Sequence, residues 1–284
     1  MQVTSVFQSQ AEADRLAVQS LLLSDMETPF LRSFFQNQKN LCVLDIGCHS
    51  GEKSVVRFGD PAVSHVLGLE LEPEVARLAE ARFGDQRFHF CDCDVEREDF
   101  EPWLRGQMQA LGIRSFDLIN LSFVLLFLRE PETLLKRLLP FLSPEGKILI
   151  TETDDSTAFL EPDGERLRDF LARLREDPYA GTRSVGRRLP EMLRRCGYRA
   201  ELLCSALRAE AWETERKKQL IAMFFSYFPE DAALLCAHFP EEERYREWLS
   251  WTRTEYPLLL EQILSPASTL SMGMAVYVCS RQKV

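Results

Sequence analysis

Between residues 41 and 151 five short apolar runs recur, each separated from the next by a stretch of helical periodicity, and few folds admit that rhythm. The runs are Leu41-Cys42-Val43-Leu44, His65-Val66-Leu67-Gly68-Leu69, Phe88-His89-Phe90-Cys91, Asp117-Leu118-Ile119-Asn120-Leu121 and Lys147-Ile148-Leu149-Ile150-Thr151. Strands so continuously apolar are buried on both faces, and strands that alternate with helices run parallel because each return needs a crossover. Pro73 opens a helix over 74–83, where its missing N–H costs nothing. Pro131 opens another over 132–142, whose Leu134, Leu135, Leu138, Leu139 and Leu142 form an apolar stripe, and Ser143–Gly146 reads as a turn into the fifth strand. Leu189–Cys196 reads as a helix, Tyr198–Ser205 as a sixth strand and Met274–Val278 as the last. The expectation is an α/β fold with a doubly wound, mostly parallel sheet of seven strands.

Two segments lie outside the rhythm. Residues 5–37 have the pattern of N-terminal helices, with Leu16, Val18 and Leu21–Leu23 as apolar positions. Residues 211–264 are helical and aromatic, with Trp212, Phe224, Phe225, Tyr227, Phe228, Phe239, Trp248, Trp251 and Tyr256. Because strand pattern returns afterwards, this segment is expected as a helical insertion before the last strand. The chain therefore divides into an N-terminal helical cap (1–40), an α/β core (41–210), the insertion (211–264) and the last strand (265–284). The aromatic rings suit two uses, a lid over a planar or apolar substrate or an ordinary core.

The net charge of −10 disfavours nucleic acid as a partner, since a duplex-binding surface clusters Lys and Arg. The run Arg183, Arg187, Arg188, Arg194 and Arg195 is the one basic stretch, and it reads as a solvated helix face. Leu21–Leu23 is too short for a signal or a membrane span, so a cytoplasmic protein with no membrane partner is expected. Eight cysteines form no CxxC pair, and with four scattered histidines they suggest reduced thiols and no metal site.

The chemistry concentrates in Val43-Leu44-Asp45-Ile46-Gly47-Cys48-His49-Ser50-Gly51. A strand that runs into a glycine-bearing loop and then a helix brings the strand's carboxyl end, a helix N-terminus and bare backbone together. A nicotinamide-dinucleotide oxidoreductase fingerprint, with glycines at its first, third and sixth positions, fails here twice, at His49 and Glu52. Glu52 would also set a carboxylate beside a pyrophosphate. A ligand carrying a sulfonium and an ammonium group suits acidic surroundings instead.

On these residues the chain resembles the class I S-adenosylmethionine-dependent methyltransferases, whose first motif, DxGxGxG, matches Asp45, Gly47 and Gly51 and departs at His49. The resemblance implies a Rossmann-like methyltransferase fold with S-adenosylmethionine as cofactor. It assigns the loop residues Asp45, Gly47, Cys48, His49 and Gly51 to the cofactor, places Glu70 on the ribose hydroxyls with Leu71 beside it, and puts Asp94 on the adenine amino group with Val95 against the ring. Asp92 competes with Asp94 for that contact. Asn120, at the end of the fourth strand, borders the methionine moiety and the acceptor.

Methyl transfer from a sulfonium is an in-line displacement, so the protein contributes alignment and desolvation, and it needs a base only for an acceptor that must lose a proton. Asp154 and Asp155, in the polar run Thr151–Ser156, and His49 are the catalytic candidates. The expected enzyme methylates a small-molecule acceptor. A protein or RNA methyltransferase is an alternative, and His49 motivates another, a non-catalytic S-adenosylmethionine-binding regulatory protein.

Overall fold

The apolar runs form a sheet because Val, Ile, Leu and Phe pack well on a pleated surface, and helices close over both of its faces. The structure is a computed structural model and describes residues 10–282. The parallel strands are β1 (Leu41–Ile46), β2 (Val63–Glu70), β3 (Phe88–Asp92), β4 (Phe116–Ser122) and β5 (Leu142–Thr153). A short β6 (Phe159–Glu161) follows, then β7 (Tyr198–Ala209) and β8 (Thr269–Arg281). The order is β3-β2-β1-β4-β5-β8-β6 with β7 also paired to β8, and β8 runs antiparallel to both β5 and β6. The helices are α1 (Gln10–Phe35), α2 (Glu52–Phe58), α3 (Pro73–Phe83), α4 (Phe100–Ala110), α5 (Pro131–Leu138), α6 (Glu165–Glu176), α7 (Val185–Arg195), α8 (Thr214–Phe224), α9 (Phe228–His238) and α10 (Glu243–Leu264).

The fold is thus the expected mostly parallel α/β sheet with a helical insertion, and two features depart from the reading. The sheet has eight strands, not seven: β6 has three residues, too few to show a period, and its Phe159 and Glu161 are exposed. The helical pattern expected over 5–37 is α1 in its described part, and residues 5–9 lie outside the described residues. The turn expected at Ser143–Gly146 belongs to β5, where the pairing with β4 shifts register between Phe116 and Leu118.

Contacts divide the chain into two units at points other than the expected 1–40, 41–210, 211–264 and 265–284. A sheet unit comprises Met26–Asp154, Gly181–Ser205 and the residues from Met274, and a helical unit comprises the residues to Asp25, Asp155–Ala180 and Ala206–Gly273. The physical reason is α6: its Phe170 stacks on Phe225 at 4.8 Å between ring centroids, so 155–180 joins the aromatic helices.

In the sheet unit, alternate residues face two cores. Leu44, Ile46, Leu67, Leu69, Ile119, Leu121, Ile148 and Ile150 pack with residues of α4, α5 and α7. Val43, Val66, Leu118, Leu149 and Val276 pack on the other side with Leu31 and Phe35 of α1, Phe58 of α2 and Ala79 of α3. The strand order reverses between β1 and β4, and such a reversal opens a crevice at the carboxyl ends of the strands.

In the helical unit Phe224, Phe225, Phe228, Trp248, Trp251 and Tyr256 are core, whereas Trp212 and Phe239 are exposed. Phe228 meets Trp251 edge-on at 5.9 Å, and the Tyr256 hydroxyl donates to the Phe225 carbonyl at 2.8 Å. The stretch Thr214–His238 is long and apolar enough to cross a membrane, but it folds as two helices broken at Phe225–Tyr227, with Met223, Phe224, Phe228 and Leu235 buried.

Candidate functional site

The crevice at the carboxyl edge is built from the ends of β1, β2 and β4. Asp45, next to last in β1, is registered beside Gly68 of β2 and Asn120 of β4. It is only 5% exposed, and both of its oxygens are engaged: Oδ2 accepts from Ser54 Oγ at 2.5 Å, and Oδ1 from Asn120 Nδ2 at 2.7 Å. Asp45 therefore ties β1 to β4 and to α2. Ser54 escaped the sequence reading. Its signal was its place nine residues past Asp45, on the helix that the loop opens.

After Ile46 the chain turns through Gly47 at φ 75° and His49 at φ 49° to Gly51 at φ 74°. These left-handed conformations suit glycine, and His49 holds one as a non-glycine residue. The N–H groups of Gly47 and Cys48 both donate to the Leu69 carbonyl, at 2.8 and 3.1 Å. A Cβ on Gly47 would stand 2.7 Å from Val124 Cγ2, and one on Gly51 would stand 2.8 Å from Phe90 Cζ. The glycines thus let the loop lie flat between the segment after β4 and the core beneath.

The Glu70 carboxylate closes the loop from β2. Its Oε2 accepts the His49 N–H at 2.8 Å, and its Oε1 accepts those of Leu71 at 2.9 Å and Glu72 at 3.2 Å. A carboxylate offers about four lone-pair sites, so these bonds leave room for a further donor such as a sugar hydroxyl. Leu71 beside it is 62% exposed.

Asp94 is exposed and its Oδ1 turns the chain by accepting the Glu96 N–H at 2.8 Å; Asp92, its competitor, is exposed too, at the end of β3. Val95 is buried in the core beside α4. Cys48 also turns inward, into the core with Phe90, and burial beside the Asp45 and Glu70 carboxylates lifts its thiol well above the usual range. Its side chain is a neutral packing group, so what it offers a ligand is backbone. Asp45, Gly47, His49, Gly51, Glu70 and Asn120 thus come together in one hydrogen-bonded set, with Leu71 and Asp94 on the strand ends beyond.

Two buried polar atoms of this set have no hydrogen-bond partner, His49 Nδ1 and Asn120 Oδ1. Such atoms are costly unless something satisfies them, and both belong to the residues assigned to the cofactor. An exposed positive-φ glycine, two polar atoms awaiting partners and a carboxylate with spare capacity fit a ligand with an ammonium group, a ribose and close backbone approach.

Beyond β5 the run Thr151–Asp155 is buried throughout and is not a solvated loop: β5 continues to Thr153, and Asp155–Thr157 is a single 3-10 turn. Asp154 therefore sits at the carboxyl edge of the sheet unit. Glu152, which the sequence reading passed over, accepts the N–H groups of Val124 and Leu125. Among the described residues no group of three or more His, Cys, Asp or Glu is arranged to hold a metal.

Residues 44–148 match a family model described as a methyltransferase domain. A trans-aconitate 2-methyltransferase from Methylobacterium radiotolerans is 29% identical over 177 residues, covering 60% of this chain and 59% of that one. The chain thus spans less than two thirds of that relative's length. Among solved structures, the (4+2)-cyclase SpnF matches with a TM-score of 0.53 at 17% identity, covering 92% of this chain and 82% of that one. A phosphoethanolamine N-methyltransferase 2 from Haemonchus contortus matches with a TM-score of 0.52 at 14% identity, covering 99% of this chain and 61% of that one. At such identities these structures show a shared fold.

Proposed function

Because the chain belongs to the class I S-adenosylmethionine-dependent methyltransferase superfamily, we propose that it transfers a methyl group from S-adenosylmethionine to a small-molecule acceptor. The observation that carries the reading is the loop Asp45–Gly51: a positive-φ glycine turn inside the matched family region, closed by the Glu70 carboxylate. When bound, the cofactor supplies a methyl group on a sulfonium that is already a good leaving group.

The residues would divide the work as follows. Gly47 admits the ligand to the backbone. Glu70 would accept from the ribose, Leu71 would flank the adenine with the buried Val95 beneath it, and Asp94 or Asp92 would accept from its amino group. Asn120 Oδ1 would accept from the methionine ammonium, with Asp45 fixing the amide through Nδ2. Asp154, Asp155 and His49 are the candidates to orient an acceptor or take its proton, a duty that falls to one of them only if the acceptor must be deprotonated. The acceptor class is supported by the acidic net charge, which disfavours nucleic acid, and by the similarity to a trans-aconitate 2-methyltransferase.

A second reading is a cofactor-binding protein that does not transfer methyl groups. It is motivated by His49 in a left-handed position where the family has glycine, and by a cyclase that shares the fold. Calorimetry with S-adenosylhomocysteine on the full chain tests the cofactor reading, and absence of binding sinks it. Glu70→Ala is expected to weaken that binding by about ten- to a hundredfold, each tenfold step being ~1.4 kcal/mol. Release of labelled methyl across a panel of small carboxylates and amines separates enzyme from binder.

A further inference from the structure

Glu152 is a fully buried carboxyl at the carboxyl edge of the sheet, and nothing above gives it a part in binding. It sits near the end of β5, registered opposite Ala275 of β8, on the face that packs with α4, α5 and α7. Its Oε1 accepts the N–H of Val124 at 3.0 Å and of Leu125 at 2.6 Å, while Oε2 is buried with no partner. Burial pushes the carboxyl up to about 8, and the groups that pull it back are the backbone N–H groups of Leu125, Val124 and Leu126. Asp154, the next ionisable residue along the chain, lies just past β5, and no charged side chain is among the causes of the shift. Oε2 is thus the oxygen that would carry the proton, while Oε1 accepts both amides.

Those amides belong to the segment that leaves β4. Phe123 there holds φ 55° and donates its N–H to the Thr151 carbonyl at 2.8 Å, and Val124 rests directly over the Cα of Gly47. The chain thus runs from Glu152 through two hydrogen bonds to Val124, and through van der Waals contact to the glycine of the loop. A displacement of Val124 changes the space above Gly47, because packed side chains do not deform continuously.

We propose that Glu152 is a positioning residue of the cofactor pocket, holding Val124 against Gly47 so that the loop presents its backbone to the ligand. This rests on the cofactor reading of the preceding subsection. A carboxyl that only stabilised the fold would alter melting temperature and leave the affinity of the folded protein unchanged.

The test is calorimetric affinity for S-adenosylhomocysteine on the full chain for wild type, Glu152→Gln and Glu152→Leu, at about pH 6.5 and about pH 9. Gln keeps an acceptor for both amides, so at the lower pH it binds within about twofold of wild type, whereas Leu weakens binding about tenfold or more. Between the two pH values wild type loses affinity relative to Glu152→Gln, because a charge on the buried, unpartnered Oε2 is drawn toward water and shifts the Val124 and Leu125 amides bound to Oε1; the ligand's own amine titrates equally in both and cancels. Equal affinities for wild type and a folded Glu152→Leu overturn the proposal. If Glu152→Leu does not fold, the comparison of wild type with Glu152→Gln across pH decides alone, and parallel profiles overturn it. Absence of wild-type binding instead brings down the cofactor reading, and this proposal with it.

Discussion

Asp45 carries the first position of the family motif, yet its carboxylate is spent inside the protein, on Ser54 and Asn120. Its replacement is therefore a matter of stability as much as affinity. Asp45→Asn sets an amide N–H₂ against one of two donors, leaving a buried donor unsatisfied at a cost of about 1–3 kcal/mol. Thermal unfolding should show that loss with and without S-adenosylhomocysteine; a purely ligand-dependent loss would contradict the geometry. This residue was legible in the sequence because a strand, an acid and spaced glycines stand in order. Glu152 was not. It lies in Thr151–Ser156, which reads as a polar loop, and nothing local reveals that the strand continues two residues and that the run to Asp155 is buried. Burial of a charged residue type is a tertiary property, set here by β4, β8 and α7.

At the scale of elements, α1 was visible as a helix from its apolar spacing, but its docking partner was not. Glu27, near the middle of α1, is buried and pairs with Arg57 of α2, while its Oε1 accepts from Thr151 Oγ1 of β5 at 2.6 Å. Their side chains are 1% and 9% exposed, so this is a desolvated ion pair. Removing one partner of such a pair strands the other charge: Arg57→Met should cost roughly 3–5 kcal/mol in denaturant unfolding. The double change Glu27→Leu with Arg57→Leu should recover most of that, because matched apolar groups carry no desolvation penalty. A double variant no more stable than Arg57→Met would show that the pair's geometry, not its burial, sets its worth. The strands β1 to β5 were readable from continuous apolar runs. β6 was not, since three residues with two of them exposed leave no pattern, and it pairs with β8 only after more than a hundred intervening residues.

At the scale of the whole molecule each unit holds a carboxyl displaced upward to about 8. Burial does this to Glu152 in the sheet unit; in the helical unit burial, and then the neighbouring carboxyl of Asp177, does it to Asp231, which is 3% exposed. Both folded values lie above the unfolded ones, so the stability that neutral carboxyls confer is fully present below the ordinary carboxylate range. It is lost as pH rises toward 8, at up to about 1.4 kcal/mol per pH unit for each group, and the loss levels off above that. Melting temperature should therefore fall from pH 5 to about 8 and then flatten, with Glu152→Gln and Asp231→Asn each removing part of the slope. A wild-type profile flat over that window would refute both assignments. The two-unit division itself was only half legible: the aromatic density of 211–264 was plain, but the addition of 155–180 depends on Phe170 finding Phe225 across the fold.

The position of β8 has a consequence for synthesis. β8 is bonded to β5, β6 and β7, so a nascent chain that has emerged only as far as α10 carries three strands still waiting for the same partner. Each has unpaired N–H and C=O groups along the side that β8 will fill, and such rows recruit strands from other molecules. On the ribosome the vulnerable interval lasts until residues 269–281 have cleared the exit tunnel and can fill those edges. A premature stop anywhere in α8 to α10 would leave an aggregation-prone fragment and not a smaller working domain, since β5, β6 and β7 all depend on residues 269–281 for a partner.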